Sequence, residues 1–524
     1  MMRKSRLYSF LAVAFALQAT AQNAPGIVWS HAMGGPWNED GRSVRTCPDG
    51  GFILAGSTDG GGGDITGGYS LDDGWVVKTD AAGAIQWERA LGGWGFDYIE
   101  SAVPTHDGGY FVTGTSGLVG GDVTSTYDQV DVWAVKLDAT GGIQWQRSIG
   151  GWDIEDGLYG EQTAEGGFIV TGESASSDGD VLSNNGGWDI WVVKLDTVGN
   201  IQWQRSLGGS GMEVSWMVRQ TGDGGYILCA LTDSQTGTIT ANGPGTDGLV
   251  IKLDGNGDVQ WYHALGGEGQ DELLAIQQTA DGGYVTVGRT WSITGDLTGN
   301  HGGADIWVVK LDSAGNTEWQ HCYGGTSDES GWWIQQLGDG GYLVSGWTSS
   351  NNGQVTNYHG GFQDAWILRL DVAGSLLWQK TLGGSARDFA TALDVTDDEG
   401  IIVMASSISN DGDVSDNHGG TDFWLVKLGP EILGIPEQEA TTGFSVFPNP
   451  ATDEVNIGFQ LATSAAVGLR LVDALGRYVG TLPEKHLPAG RHELSYALCT
   501  LRPGLYELQL VVNGRSMLRK FVKK

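Results

Sequence analysis

Short runs of alternating apolar and polar residues follow one another along nearly the whole chain, separated by Gly- and Asp-rich turns. Ile201–Leu207 (IQWQRSL) alternates, whereas Tyr226–Leu231 and Asp189–Asp196 are more continuously apolar. Period-two alternation marks a half-buried strand, and an unbroken apolar run of that length marks a strand buried on both faces. Asp223-Gly224-Gly225 and Thr197–Asn200 read as tight hairpins, where Gly accepts positive φ. One unit therefore reads as a stretch such as Val218–Thr221, a tight turn, Tyr226–Leu231, a long Gly/Asp/Asn loop, an Asp189–Asp196-type strand, a short turn and a Trp strand.

The unit repeats. Asp-x-Trp-Val-Val-Lys-Leu-Asp strings place Trp at 75, 133, 191, 307, 366 and 424, with Leu249 in the fourth copy. A second string places Trp at 29, 87, 145, 203, 261, 319 and 378, and a third starts at Asp49, Asp107, Glu165, Asp223, Asp281, Asp339 and Asp398. All three count seven copies in one phase. Four short antiparallel strands repeated seven times predict a seven-bladed β-propeller. A stacked solenoid needs atypical capping units, and the repeats show none. The first copy opens on a lone Trp strand, Ile27–Met33, and the last ends on Phe423–Leu428 without one. Together these remnants complete one blade, so the N-terminal strand is expected to close the ring and remove its edges.

The ends of the chain differ from its body. Arg3, Lys4 and Arg6 precede an apolar run from Leu7 to Leu17 and a small-x-small site at Ala19–Ala21, so residues 1–21 read as a signal peptide. The run is too short to span a bilayer, and no transmembrane segment is expected. Residues 22–429 are assigned to the propeller and 430–443 to a linker. Residues 444–524 alternate as a small Ig-like β-sandwich. Charge divides likewise: residues 22–443 hold 16 Lys and Arg against 57 Asp and Glu, whereas residues 444–524 hold 10 against 6. So acidic a body repels phosphate backbones and anionic lipid, which excludes nucleic acid as a partner. Cys47, Cys229, Cys322 and Cys499 follow no framework spacing and read as scattered buried thiols.

The repeat, over about residues 27–429, resembles the β-propeller repeat of secreted bacterial proteins, which implies the fold and no particular activity. Residues 444–524 resemble the type A sorting domain of the type IX secretion system of Bacteroidetes-like bacteria. The matching residues are Pro448, Asn449 and Pro450 with Ala451–Asp453, then Gly490 in Leu487–Gly490, then Gly504 and Tyr506, and finally Lys520 in the basic last strand. The resemblance implies the type IX secretion machinery as partner and a product that is secreted or held on the outer-membrane surface.

No G-x-S-x-G, H-E-x-x-H or phosphate-binding loop occurs, and no catalytic residue is assigned. His301, His359 and His418 stand on separate repeats and read as loop packing. The outer-to-inner loops and the long loops share one face, the side where function concentrates. That side carries a seven-fold acid: Glu39, Asp97, Glu155, Glu213, Asp271, Glu329 and Asp388. Ringing a channel mouth, these residues would offer oxygens to a cation, calcium being the candidate cofactor, or to a polyhydroxylated ligand. Alternatively each acid caps its own loop. Asp64, Asp122, Asp180, Asp296 and Asp413 recur in the long loops, but Thr238 and Gln354 interrupt that series. Thirteen of the 22 Trp keep the repeat and read as packing. The others break it: Trp37, Trp94, Trp152, Trp188 and Trp291 in loops, and Trp216, Trp332, Trp333 and Trp347 at strand ends expected near the same face. Indole faces beside carboxylates suit a glycan, although they also serve as loop cores. Three functions remain open: a non-enzymatic binding module for glycan or another extracellular ligand, a carbohydrate-active hydrolase or lyase using a carboxylate pair, and a structural or adhesive surface protein.

Overall fold

The computed structural model describes residues 24–69, 72–127, 130–295, 297–431, 444–461, 464–473, 478–498, 501–512 and 515–524. The proposed signal peptide, most of the linker, Cys499 and Asp296 lie outside them. The chain divides into two compact units, 23–432 and a C-terminal one beginning at 433.

The first unit is a seven-bladed β-propeller. Strand β1 spans Ile27–Met33. The first blade is β2 (Glu39–Thr46), β3 (Phe52–Thr58), β4 (Asp73–Thr79) and β5 (Ile85–Leu91), paired in that order. Blades two to six repeat it over residues 98–149, 155–207, 213–265, 271–323, 329–382. The seventh comprises Asp388–Val395, Ile401–Ser407, Asp422–Leu428 and, as its outer strand, β1, which pairs antiparallel with Asp422–Leu428. The N-terminal strand thus closes the ring.

The repeat residues are explained by what they touch. The blade Trp residues of the third strands are fully buried, and Trp75, Trp133, Trp191, Trp307 and Trp366 each donate Nε1–H to Glu88, Gln146, Gln204, Gln320 and Gln379 on the outer strand. The Lys of the same strand, replaced by Arg369 in the sixth blade, is buried and reaches the acid of the Asp-Gly-Gly turn, as Lys194 does to Glu165 at 2.9 Å and Lys252 to Asp223 at 3.0 Å. One difference from the pattern concerns the inner strands, which begin at the seven-fold acid, or in the second blade at the residue after it, rather than several residues later. A β-bulge, between Ser215 and Met217 in the fourth blade, interrupts alternation there and hides the strand start.

The second unit is a sandwich of a three-stranded sheet, Ser445–Phe447, Glu454–Leu461 and Gly490–Ala497, and a four-stranded sheet, Tyr478–Leu487, Ala465–Asp473, Gly504–Val512 and Arg515–Lys523. Val455, Ile457, Leu469, Leu508, Leu510 and Phe521 are among its buried core.

Candidate functional site

The seven-fold acids do not face a channel mouth. Six open an inner strand, Asp97 stands just before one, and all seven are fully buried. Their carboxylates turn back onto their own loops. Gly35, Gly93, Gly151, Gly209, Gly267, Gly325 and Gly384 donate backbone N–H to Glu39, Asp97, Glu155, Glu213, Asp271, Glu329 and Asp388 at 2.6–2.8 Å. A second oxygen takes a hydroxyl from the neighbouring strand, for example Thr58 on Glu39 at 2.9 Å and Ser174 on Glu155 at 2.8 Å. An oxygen already bonded on both sides and withdrawn from water presents nothing to a dissolved ligand. The expectation that these acids ring a mouth for calcium or a polyol is therefore corrected: the geometry is that of loop capping. Among the described residues no three His, Cys, Asp or Glu side chains converge as a metal site.

The tryptophans separate into two sets. Trp37, Trp94 and Trp152 lie in the outer-to-inner loops entering the first three blades, 56%, 66% and 59% exposed, although indole is among the groups that most gain from burial. Their backbones are held. Trp94 N–H donates to Leu118 O at 3.2 Å, and Trp152 N–H donates to Asp178 Oδ1 at 2.9 Å. Their rings lie against the loops: that of Trp37 covers Gly60, that of Trp94 covers Gly120, and Trp152 meets Tyr127 edge-on at 6.1 Å. Phe96 is exposed on the Trp94 loop, and Tyr69, Leu118 and Val119 are exposed on the long loops of the first two blades. Trp291, on the fifth blade's long loop, has Arg289 over its ring at 4.9 Å, and Trp188 is half-buried in the third. In the corresponding outer-to-inner loops of blades four to seven, Ser210, Glu268, Thr326 and Ser385 occupy the place of Trp94 and Trp152.

The second set lies elsewhere. Trp333 is buried on the propeller axis between Arg45 at 4.0 Å and Arg219 at 5.3 Å, and Arg45 donates to Tyr159 Oη at 3.1 Å. These four residues come from blades six, one, four and three, so they cross the lumen and fill it. Trp216 and Trp332, on blades four and six, meet edge-on at 6.1 Å across blade five. Trp347 pairs within its blade, opposite Ser330 and Ala365. The expectation that all nine repeat-breaking tryptophans share the loop face is corrected for Trp216, Trp332 and Trp333, which the inner-strand bulge turns toward the axis.

The structure also shows a carboxylate pair that sequence reasoning missed. Asp156, next to the capping Glu155, stands directly opposite Glu173 on the adjacent strand. Burial, reinforced by the Asp156 charge, pushes Glu173 up to about 8, and burial raises Asp156 as well. The available signal was repeat-breaking: no other blade has two acids at these positions.

In the C-terminal unit Asn449, Gly504 and Tyr506 gather against the last strand, which carries Lys520, whereas Gly490 lies in the other sheet. Asn449 Oδ1 accepts from Val522 N–H at 2.9 Å and Asn449 Nδ2 donates to Lys520 O at 3.3 Å, with Pro448 and Pro450 on either side. Tyr506 Oη donates to Arg502 O at 2.7 Å and its ring lies 5.9 Å from Phe521. Gly504 pairs with Lys523 and Gly490 takes a positive φ at the end of its strand.

These features define an exported repeat protein: an all-β propeller followed by a secretion-sorting module. Residues 445–524 match the family described as the Secretion system C-terminal sorting domain, and the protein is a type IX secretion cargo that is secreted or attached to the cell surface. The sorting module implies the secretion machinery as a partner. Over 257 residues the chain is 26% identical to Regulatory protein FlaEY of Caulobacter vibrioides, an alignment covering 45% of this chain and only 25% of that relative. Among solved structures it is similar to PorZ, a surface component of the type-IX secretion system of Porphyromonas gingivalis, with a TM-score of 0.42 and 13% identity over 92% of this chain and 59% of that one. It is also similar to a glycoside hydrolase family 32 structure from Bifidobacterium adolescentis, with a TM-score of 0.24 and 8% identity over 95% of each.

Proposed function

We propose that the propeller is a non-enzymatic extracellular binding module whose loop face over the first three blades stacks a glycan on Trp37, Trp94 and Trp152. The observation that supports it is the exposure of three indoles on consecutive blades, with backbones tied down by hydrogen bonds. Solvent-exposed indole costs stability unless something covers it, and the CH face of a sugar ring is a fitting cover. The test is a glycan array probed with the mature chain and with Trp94→Ala and Trp152→Ala. Binding lost or weakened at least tenfold in either variant supports the reading. No binding, or binding that both variants keep, overturns it.

A second reading, a glycan hydrolase or lyase, has one observation in its favour: Asp156 and Glu173 face one another, and the raised Glu173 keeps its proton near neutral pH as a general acid must. Release of reducing ends from oligosaccharides by the mature chain, abolished in Glu173→Gln, would favour it over binding alone.

A further inference from the structure

The aspartates that open the third strands carry an unexplained oxygen. Each uses Oδ2 to accept an N–H from the loop before it: Tyr69 N–H donates to Asp73 at 2.7 Å, Tyr127 N–H to Asp131 at 2.8 Å, and His418 N–H to Asp422 at 2.7 Å. The other oxygen, Oδ1, of Asp73, Asp131, Asp189, Asp305 and Asp422 is buried with no hydrogen-bond partner, in residues at most 3% exposed. It points across the seam at the next blade's capping acid. A Cβ on Gly150 would stand 2.4 Å from Asp131 Oδ1 and 2.4 Å from Glu155 Oε2. The two oxygens are therefore no farther apart than the sum of those lengths. Gly208 lies between Asp189 and Glu213 in the same way, at 2.3 and 2.4 Å, and Gly324 between Asp305 and Glu329, at 2.6 and 2.3 Å. Gly92 lies between Asp73 and Asp97, at 2.2 and 2.9 Å, and Gly34 between Asp422 and Glu39, at 2.8 and 2.3 Å.

Two ionised carboxylates so placed, out of water and without a donor between them, repel one another. A cation standing where that Cβ would lie is excluded, because it would be one bond length from the glycine Cα. A proton needs no such room. We infer that five of the seven blade seams are each closed by a carboxyl–carboxylate pair sharing one proton, so that the ring is held more tightly in acid than in base.

Burial pushes Asp73 and Asp131 up to about 6 and Glu39 up to about 7, and raises Asp97, Glu155, Asp189, Glu213, Asp305, Glu329 and Asp422. The groups around the pairs do not undo this. Asp180 and Tyr127 face Asp131–Glu155, and Asp64, Asp59 and His418 face Asp422–Glu39. Asp72, Tyr69 and Asp122 face Asp73–Asp97, with Arg89 reaching Asp122 at 3.9 Å. His301 faces Asp305–Glu329, whereas Asn185, Thr232 and Ser234 surround Asp189–Glu213. A carboxyl raised in the fold adds stability that is complete below the unfolded value of about 4 and is lost as pH rises through the folded value. Stability contributed by the seams therefore falls between about pH 4 and 7.

The test is the unfolding midpoint of the mature chain between pH 5 and 8, for the wild type, for Asp131→Asn, and for Asp397→Asn, an exposed control for general charge repulsion. The Asn amide supplies a permanent N–H to Glu155. The expected result is a wild-type midpoint that falls as pH rises, and an Asp131→Asn midpoint above wild type at pH 8 but not at pH 5, with Asp397→Asn parallel to wild type. An Asp131→Asn midpoint displaced equally at both pH values overturns the inference. So does a wild-type midpoint at pH 8 raised by calcium in a way the variant loses. Should the variant not fold, the infrared spectrum of Glu173→Gln, which removes the other carboxyl held protonated near neutral pH, decides: a protonated-carboxyl band that persists there at pH 6 supports the shared proton, and its absence refutes it.

Discussion

The seam where β1 closes the ring lacks one hydrogen bond that five other blades possess. In those blades the third-strand Trp donates to a Gln or Glu thirteen residues later, at 2.6–3.1 Å. In the seventh blade the outer strand is β1, and the place of that Gln is taken by Ser30, opposite Val426 as Glu88 is opposite Val77. Trp424 is fully buried, and its Nε1–H is without a partner. An unsatisfied buried donor costs about 1–3 kcal/mol, and ordering a Gln side chain costs up to about 2 kcal/mol, so Ser30→Gln is expected to stabilise the propeller by about 1 kcal/mol. Equilibrium urea unfolding followed by tryptophan fluorescence reads this as a higher midpoint at an unchanged slope. The converse variant, Gln204→Leu, orphans Trp191 Nε1 and is expected to cost about 1–3 kcal/mol. A Ser30→Gln midpoint equal to or below wild type, with Gln204→Leu harmless, would refute the reasoning that indole satisfaction sets the seam's strength.

Two further outcomes follow from the same structure. The turn acids Asp107, Glu165, Asp223 and Asp281 are drawn down to about 2 by hydrogen bonds and buried Lys partners, so their contribution is present above about pH 4 and lost as pH falls through about 2. The unfolding midpoint should therefore pass through a maximum on the acid side of neutral; a midpoint rising steadily from pH 3 to 8 would contradict the seam titration, and one falling steadily from pH 2 to 8 would contradict that of the turn acids. Trp333→Ala empties the axis between Arg45 and Arg219 and should cost about 3–5 kcal/mol in urea unfolding, whereas a surface role for Trp333 predicts almost no change.

The ring was legible because its determinants are local and repeated. Asp49 and Lys78, or Trp75 and Glu88, recur at fixed separations in one blade, so the period exposes both the unit and its phase. What a repeated residue faces was less legible. A carboxylate at a strand start looks alike in sequence whether it meets solvent or the N–H of Gly35, and only the fold shows Glu39 enclosed. Contacts across the lumen carry no separation signal: Arg45 and Arg219 share one repeat position and Tyr159 and Trp333 another, but the residue type at each differs blade by blade, and they meet because the ring curves. The rule that residues breaking the repeat carry function pointed to Trp37, Trp94 and Trp152. Applied to acids as well as indoles, it points to Asp156 and Glu173.

The most direct measurement of the proposed binding face is hydrogen–deuterium exchange of the mature chain with and without the polysaccharide captured on the array. Slowed exchange concentrated in residues 92–97, 117–121 and 150–154, the loops that carry Trp94, Leu118 and Trp152, is the predicted result. Slowed exchange confined to the inner strands around Asp156 and Glu173, with those loops unchanged, would contradict it.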